Sequence, residues 1–176
     1  QAAGNRFVPA GRNAEKLAVL EQEFNVQGFQ VEATYPDTIE AVIQQSQSMY
    51  SRLDGVVNCL GSLLLKPAHL TSDAEWAATL TVNLSSAFAT VRAATKAMLQ
   101  TGGSIVLVSS AAARIGLANH EAIAAAKAGI IGLTLAAAAS YAGRGIRVNC
   151  VAPGLVKPPL TARITENEMA LKHSQA

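Results

Sequence analysis

The residues of this sequence best equipped for chemistry sit in five short stretches: Gly11-Arg12, Glu32 to Tyr35, Asn58 to Gly61, Ser109-Ser110 and Pro153-Gly154. Each lies at the end of a strand-forming run. Arg12 carries a fixed guanidinium fork whose geometry suits a phosphate, or it is a solvated arginine in a turn. Asn58 and Gly61 bracket a turn in which a glycine lets the backbone approach a bound molecule closely. Further along, His120 stands seven residues before Lys127, so the two share roughly one helix face. Imidazole titrates near neutrality and can serve as an acid; the plainer reading is that His120 caps the helix start beside Asn119. Glu121 reads as a first-turn residue favoured by the helix dipole. Cys59 and Cys150 are 91 positions apart without metal-ligand spacing, which argues against a disulfide scaffold or a zinc site.

The elements that must position these residues alternate along the chain. Arg6 to Ala10 reads as a strand, and Asn13 caps a helix over Ala14 to Phe24. Phe29 to Ala33 is a second strand, and Pro36-Asp37 opens a helix to about Tyr50 with Ile39, Val42, Ile43 and Met49 on its apolar face. Gly55 to Leu60, near-continuously apolar, predicts a third strand buried on both faces. A long helical stretch begins at Ser72 or Asp73, where Trp76, Leu80, Leu84, Phe88 and Val91 fit core packing at helical spacing. Ser104 to Val108 and Ile146 to Val151 are the last two strands, separated by a helix from about Asn119 to Tyr141. Pro153, Pro158 and Pro159 then force a loop before a polar, helical tail. This alternation predicts an α/β fold: a doubly wound parallel sheet with helices on both faces. Ligands in such sheets bind beyond the carboxyl ends of the strands, where the five stretches fall.

Composition narrows the function. The 176 residues are 50% hydrophobic and 15% charged, which excludes general disorder. A formal net charge of +2 and 5% aromatic residues argue against a nucleic-acid surface or a polybasic membrane surface. The longest apolar run, Ile115 to Ala142, is interrupted by Asn119, His120, Glu121 and Lys127, so no membrane span is expected. The cysteine usage predicts a reducing, cytoplasmic setting.

Asn58-Cys59-Leu60-Gly61, Thr81-Val82-Asn83-Leu84, Val108-Ser109-Ser110, Ala126-Lys127-Ala128-Gly129 and Asn149-Cys150-Val151-Ala152-Pro153-Gly154 follow one another along the chain, the last preceded by Arg147. In order and spacing they resemble the short-chain dehydrogenase/reductase family, Rossmann-like enzymes that use NAD(H) or NADP(H). The resemblance implies that Ser110 polarises a substrate carbonyl and that Asn83 supports a water-linked proton path to Lys127. It also implies cofactor contacts from Arg12, Asn58, Gly61, Lys127, Pro153, Gly154 and Val156, with Lys127 on the nicotinamide ribose. Serine and lysine could instead persist only as hydrogen-bonding scaffold for the cofactor. Gly11 stands where a carboxylate would select NAD, and Arg12 follows it, so NADP(H) is favoured. Glu32 falls near the family's adenine-facing acid. Cys59 replaces an asparagine and is expected to be a small buried residue. Pro158 replaces a threonine that often contacts the carboxamide, although Thr161 lies nearby.

One departure outweighs the others. The family's proton donor is a tyrosine four residues before the lysine and thirteen after the serine, and both counts land on Ile123. Ile123 cannot donate a proton, and Tyr35, Tyr50 and Tyr141 are poorly placed to replace it. Losing a positioned general acid costs on the order of 10²–10⁴-fold in rate. His120 is the candidate substitute. The family also opens with a strand, a glycine-rich turn and a helix, and nothing here matches that unit. Residues 1–176 are thus expected to be a single, incomplete Rossmann-type dinucleotide-binding and catalytic domain. The resemblance further implies a small-molecule substrate and a homodimer or homotetramer, with no nucleic-acid or membrane partner. Two functions compete: an atypical oxidoreductase, or a catalytically silent dinucleotide-binding sensor or scaffold.

Overall fold

Local capping chemistry sets the helix starts in the computed structural model, which describes residues 6–154. Asn13 has extended backbone and accepts the Lys16 N–H at 2.9 Å, opening α1 (Ala14–Phe24). Pro36 lies in the first turn of α2 (Pro36–Tyr50), where its missing N–H has no helical partner to lose. Ser72 and Glu75 form a reciprocal capping box on α3 (Asp73–Leu80). All three starts fall where the sequence predicts them.

From α3 the chain passes through a π-turn, Thr81–Ser85, into α4 (Ser86–Met98). A π-turn inserts an extra residue, which rotates the downstream side chains relative to a helical stripe. The expected core stripe fails at two positions: Phe88, after the π-turn, is 52% exposed, and Trp76, before it on α3, is 42% exposed. Ala87, Val91, Ala94 and Met98 form a buried face of α4 instead. α5 (Glu121–Tyr141) starts later than expected because Asn119 takes left-handed backbone, φ 62°. With its 3₁₀ extension to Arg144 it is long and apolar enough to cross a membrane by length and composition, contrary to the sequence expectation. Here it packs as a core helix, burying Ile123, Ala126, Ile130 and Ala137.

All strand pairings are parallel. β1 (Ala10–Gly11) pairs with β2 (Phe29–Gln30), while β3 (Gly55–Asn58), β4 (Gly103–Val108) and β5 (Ile146–Val151) form a second sheet in that order. The second strand is shorter than expected because the chain turns after Val31. Tyr35 N–H and the Thr38 hydroxyl both donate to the Glu32 carbonyl, which closes a turn instead of extending the ladder. Right-handed crossovers put α1 on one face and α2, α3–α4 and α5 on the other. The architecture is a Rossmann-like α/β fold.

The core lies under α4 and α5, where Ile105, Leu107, Ile146 and Val148 are at most 4% exposed. On the opposite face Val57 and Val151 are 64% and 51% exposed. The expectation that β3 is buried on both faces therefore fails among the described residues. Of the crossover helices only α1 lies on that side, and it packs at β1 and β2. Val156, Pro158, Pro159, Thr161 and the expected helical tail lie outside the described residues.

Candidate functional site

The carboxyl ends of β3 and β4 meet the π-turn and α5 at Gly61. A Cβ built on Gly61 would lie 3.1 Å from Asn83 Oδ1 and 3.5 Å from Lys127 Nζ. A side chain here would press on the Asn83 amide, which would have to give by a few tenths of an ångström, while Lys127 lies at ordinary contact distance.

Asn58 leads into that turn, and its side chain points inward. Nδ2 donates to Thr90 Oγ1 at 2.7 Å and to the Ser86 carbonyl at 3.3 Å, while Oδ1 accepts from Leu60 N–H at 2.8 Å. Its amide is therefore spent on anchoring the turn to α4. Cys59, next in the chain, is exposed, which corrects the expectation of a buried residue. With Asn58 turned into the core, the residue after it faces outward.

Asn83 sits in the π-turn with 1% of its surface exposed. Its Nδ2 donates to Ser62 Oγ and to the Thr79 carbonyl, each at 3.0 Å, and its Oδ1 accepts from Ser62 N–H at 3.2 Å. Ser62 thus grips both ends of the Asn83 amide and sets its orientation. Sequence reasoning missed Ser62; its place directly after Gly61 was the one available signal.

Lys127 is 8% exposed, and its Nζ donates to the Val108 carbonyl at 2.9 Å. No carboxylate among the described residues pairs with it. Burial holds its pKa below the usual lysine value, and the electrostatic interaction with nearby Cys59 works the other way. Ser109 Oγ donates to the Lys127 carbonyl at 2.8 Å, stitching the end of β4 to α5. Ser110 caps a 3₁₀ turn, Ala111–Ala113, by accepting the Ala112 N–H at 3.2 Å. Its own hydroxyl proton stays available to an acceptor. Ala111 N–H donates to the Pro153 carbonyl at 2.9 Å, which brings the Pro153-Gly154 segment beside Ser110.

Ile123 lies one turn before Lys127 on α5 and is 3% exposed, part of the packed interior. His120 occupies the N-cap position but its side chain makes no cap bond; Nδ1–H donates to the Ala118 carbonyl at 2.7 Å. The expected side-chain cap is thus absent. A helix rise of 1.5 Å per residue puts His120 about 10 Å along the axis from Lys127. Arg12 is exposed at the carboxyl end of β1, in a different sheet from β3 and β4, with no described carboxylate partner. Glu32 turns back on its own loop, where its carboxylate accepts the Thr34 N–H at 3.3 Å.

Parallel strands wound by helices, with polar groups gathered at their carboxyl ends, define a Rossmann-like α/β protein. Comparison with known proteins narrows this. Residues 1–176 match the family model described as Enoyl-(Acyl carrier protein) reductase. The chain is 33% identical over 159 residues to D-threitol dehydrogenase of Mycolicibacterium smegmatis, covering 87% of this chain and 61% of that protein. It is 36% identical over 144 residues to a 3-oxoacyl-(acyl-carrier-protein) reductase of Thermotoga maritima, covering 80% of this chain and 58% of that one. A solved short-chain type dehydrogenase/reductase from Mycobacterium ulcerans superimposes with a TM-score of 0.88 at 27% identity, covering 94% of this chain and 64% of that one. The chain belongs to the short-chain dehydrogenase/reductase family. It spans about three fifths of the length of the curated relatives it matches.

Proposed function

We propose that the protein is an NAD(P)(H)-dependent oxidoreductase acting on the carbonyl or alcohol group of a small molecule, with an atypical site in which Ile123 replaces the tyrosine acid. The observation that carries this reading is the convergence of Asn83 and Lys127 at Gly61 beside the end of β4. The residues suit a nicotinamide dinucleotide. The Lys127 ammonium has one described acceptor, so it has N–H groups to offer ribose hydroxyls. The Arg12 fork is exposed at the end of β1 and pairs with no carboxylate among the described residues, which supports NADP(H) over NAD(H). When bound, such a cofactor supplies or takes up the hydride.

Ser110 retains a hydroxyl proton to donate to a substrate carbonyl oxygen, and its capping bond orients that hydroxyl. Asn83, locked by Ser62, holds a fixed amide beside Lys127. Pro153 and Gly154 form the adjoining wall, tied to the Ser110 loop. Residue 123 delivers no proton, so protonation of an alkoxide falls to another group, His120 being the nearest candidate in sequence. Exposed Trp76, Phe88 and Leu135 on α3, α4 and α5 support a homodimer or homotetramer. The reading places the protein in the cytoplasm.

A second reading, a silent dinucleotide-binding sensor or scaffold, is favoured by Ile123 alone, an apolar residue buried where the acid would stand. The intact protein assayed with NADPH and NADH against a panel of ketones separates the two. Measurable turnover that rises on Ile123→Tyr supports the enzyme. NADPH binding without turnover in either form overturns it in favour of the second reading.

A further inference from the structure

Lys127 is an amine set where little holds its charge. It is buried, and so are Ile123 and Ile130, its apolar neighbours one turn before and one turn after on α5. Three groups reach it from the elements packed against α5: the Val108 carbonyl from β4, the Asn83 amide from the π-turn and the Cys59 side chain from the turn after β3. None is a carboxylate, and the described ion pairs engage Arg52, Lys66, Arg92 and Lys96 but not Lys127. An ammonium in such a place loses hydration without gaining a counter-charge, which favours the neutral amine. The lowered pKa of Lys127, caused first by burial, agrees with this.

The geometry fixes the nitrogen and leaves one side of it open. One N–H donates to the Val108 carbonyl at 2.9 Å, which uses no lone pair of the neutral amine. Around the point where a Gly61 Cβ would stand, the only atoms within 4 Å outside the turn's own neighbours are Asn83 Oδ1 and Lys127 Nζ. Gly61 is itself exposed, so the missing side chain leaves a small molecule a way in beside Nζ. A tyrosine at position 123 would have set an ionisable oxygen one turn from the amine. Isoleucine removes that partner, and a desolvated lysine among apolar side chains is the form in which this residue type acts as a nucleophile.

We propose that Lys127 is a nucleophilic amine that condenses with small uncharged aldehydes or ketones entering past Gly61, holding them as an imine. The Nζ lone pair attacks the carbonyl carbon and forms the C–N bond, while the carbonyl π pair moves onto oxygen. A proton passes from nitrogen to that oxygen, giving a carbinolamine. The hydroxyl then takes a proton from solvent and leaves as water, the nitrogen pair forms the C=N bond, and the remaining N–H proton returns to solvent. Nothing is oxidised or reduced, and hydrolysis runs the same steps backwards. The condensation needs no dinucleotide, so it stands apart from the hydride transfer proposed above.

The test treats the intact protein at pH 7 with propanal and sodium cyanoborohydride, which reduces an imine to a stable N-propyl amine, and follows each lysine by peptide mass spectrometry. Lys127 is expected to label about tenfold or more faster than exposed Lys16, and to lose that lead in guanidinium chloride. A lysine that is only buried would label more slowly than Lys16. Ile123→Glu sets a carboxylate one turn before Lys127, the favourable order for an ion pair on a helix. It is expected to slow Lys127 to the rate of Lys66, which already pairs with Glu75 at 2.8 Å. Ile123→Leu keeps the surroundings apolar and is expected to label as the parent does. The proposal is overturned if Lys127 in the native parent labels no faster than Lys16, or if its lead survives in guanidinium chloride. It is equally overturned if a folded Ile123→Glu variant keeps the parent's rate at Lys127.

Discussion

Replacing Lys127 by methionine tests whether this residue serves the site or the fold. The stem packs in a buried position, 8% exposed, and methionine matches its apolar length. The substitution loses one hydrogen bond from the ammonium to the Val108 carbonyl at 2.9 Å. A bond from a charged donor is worth about 1.5–3 kcal/mol. It gains relief from burying an unpaired charge, an effective penalty of several kcal/mol per ion. Lys127→Met is therefore expected to be as stable as the parent at pH 7, or more stable by up to about 2 kcal/mol. NADPH binding is expected to fall.

The sign of the pH dependence comes from burial. The Lys127 pKa in the folded state lies below its ordinary 10.5. Below the folded value both states carry the proton, and the full cost of burying the charge opposes folding. As pH rises from the folded value toward 10.5, the unfolded chain binds more protons, so the parent gains stability while the methionine variant does not. The advantage of the variant should thus shrink between pH 7 and pH 10 in guanidinium unfolding of the intact protein. A loss above about 2 kcal/mol at pH 7, with a gap that does not change with pH, would refute the reasoning and make Lys127 a structural tie.

The same geometry yields two further outcomes. Asn58→Ala removes three hydrogen bonds and leaves Leu60 N–H without its Asn58 partner, so a destabilisation of about 2–4 kcal/mol is expected by chemical denaturation. A change within about 0.5 kcal/mol would mean the turn holds without its anchor. Glu75 is held at about 2, below its ordinary 4.5, first by the Lys66 ammonium and then by the backbone and hydroxyl of Ser72. Its contribution to α3 is present above pH 4.5 and fades as the pH falls toward about 2, a dependence that Glu75→Gln should abolish. An NMR titration of the Glu75 carboxyl with an ordinary midpoint would contradict the capping-box assignment.

Much of the fold is legible in the sequence because its signals act over a few residues. Asn13, Pro36 and the Ser72–Glu75 pair start their helices by bonding or preorganising backbone within one turn. Ile146–Val151 is a strand with the bounds its apolar run predicts. The order of the motifs puts Asn83, Ser110 and Lys127 close to strand ends along the chain, and Ile123 lies buried one turn before Lys127 on α5. The way each side chain points is a different matter. Asn58 turns inward because Thr90, 32 residues away, lies beneath it, and Asn83 is oriented by Ser62, 21 residues before it. Phe88 leaves the core because an extra residue in the π-turn rotates the helix after it. Val57 is exposed because crossover handedness sends three of the four helical connections to the other face. Local propensity and motif order thus determined the elements and their candidate chemistry. Tertiary structure alone decided burial and orientation, because those depend on neighbours that the chain brings from far away.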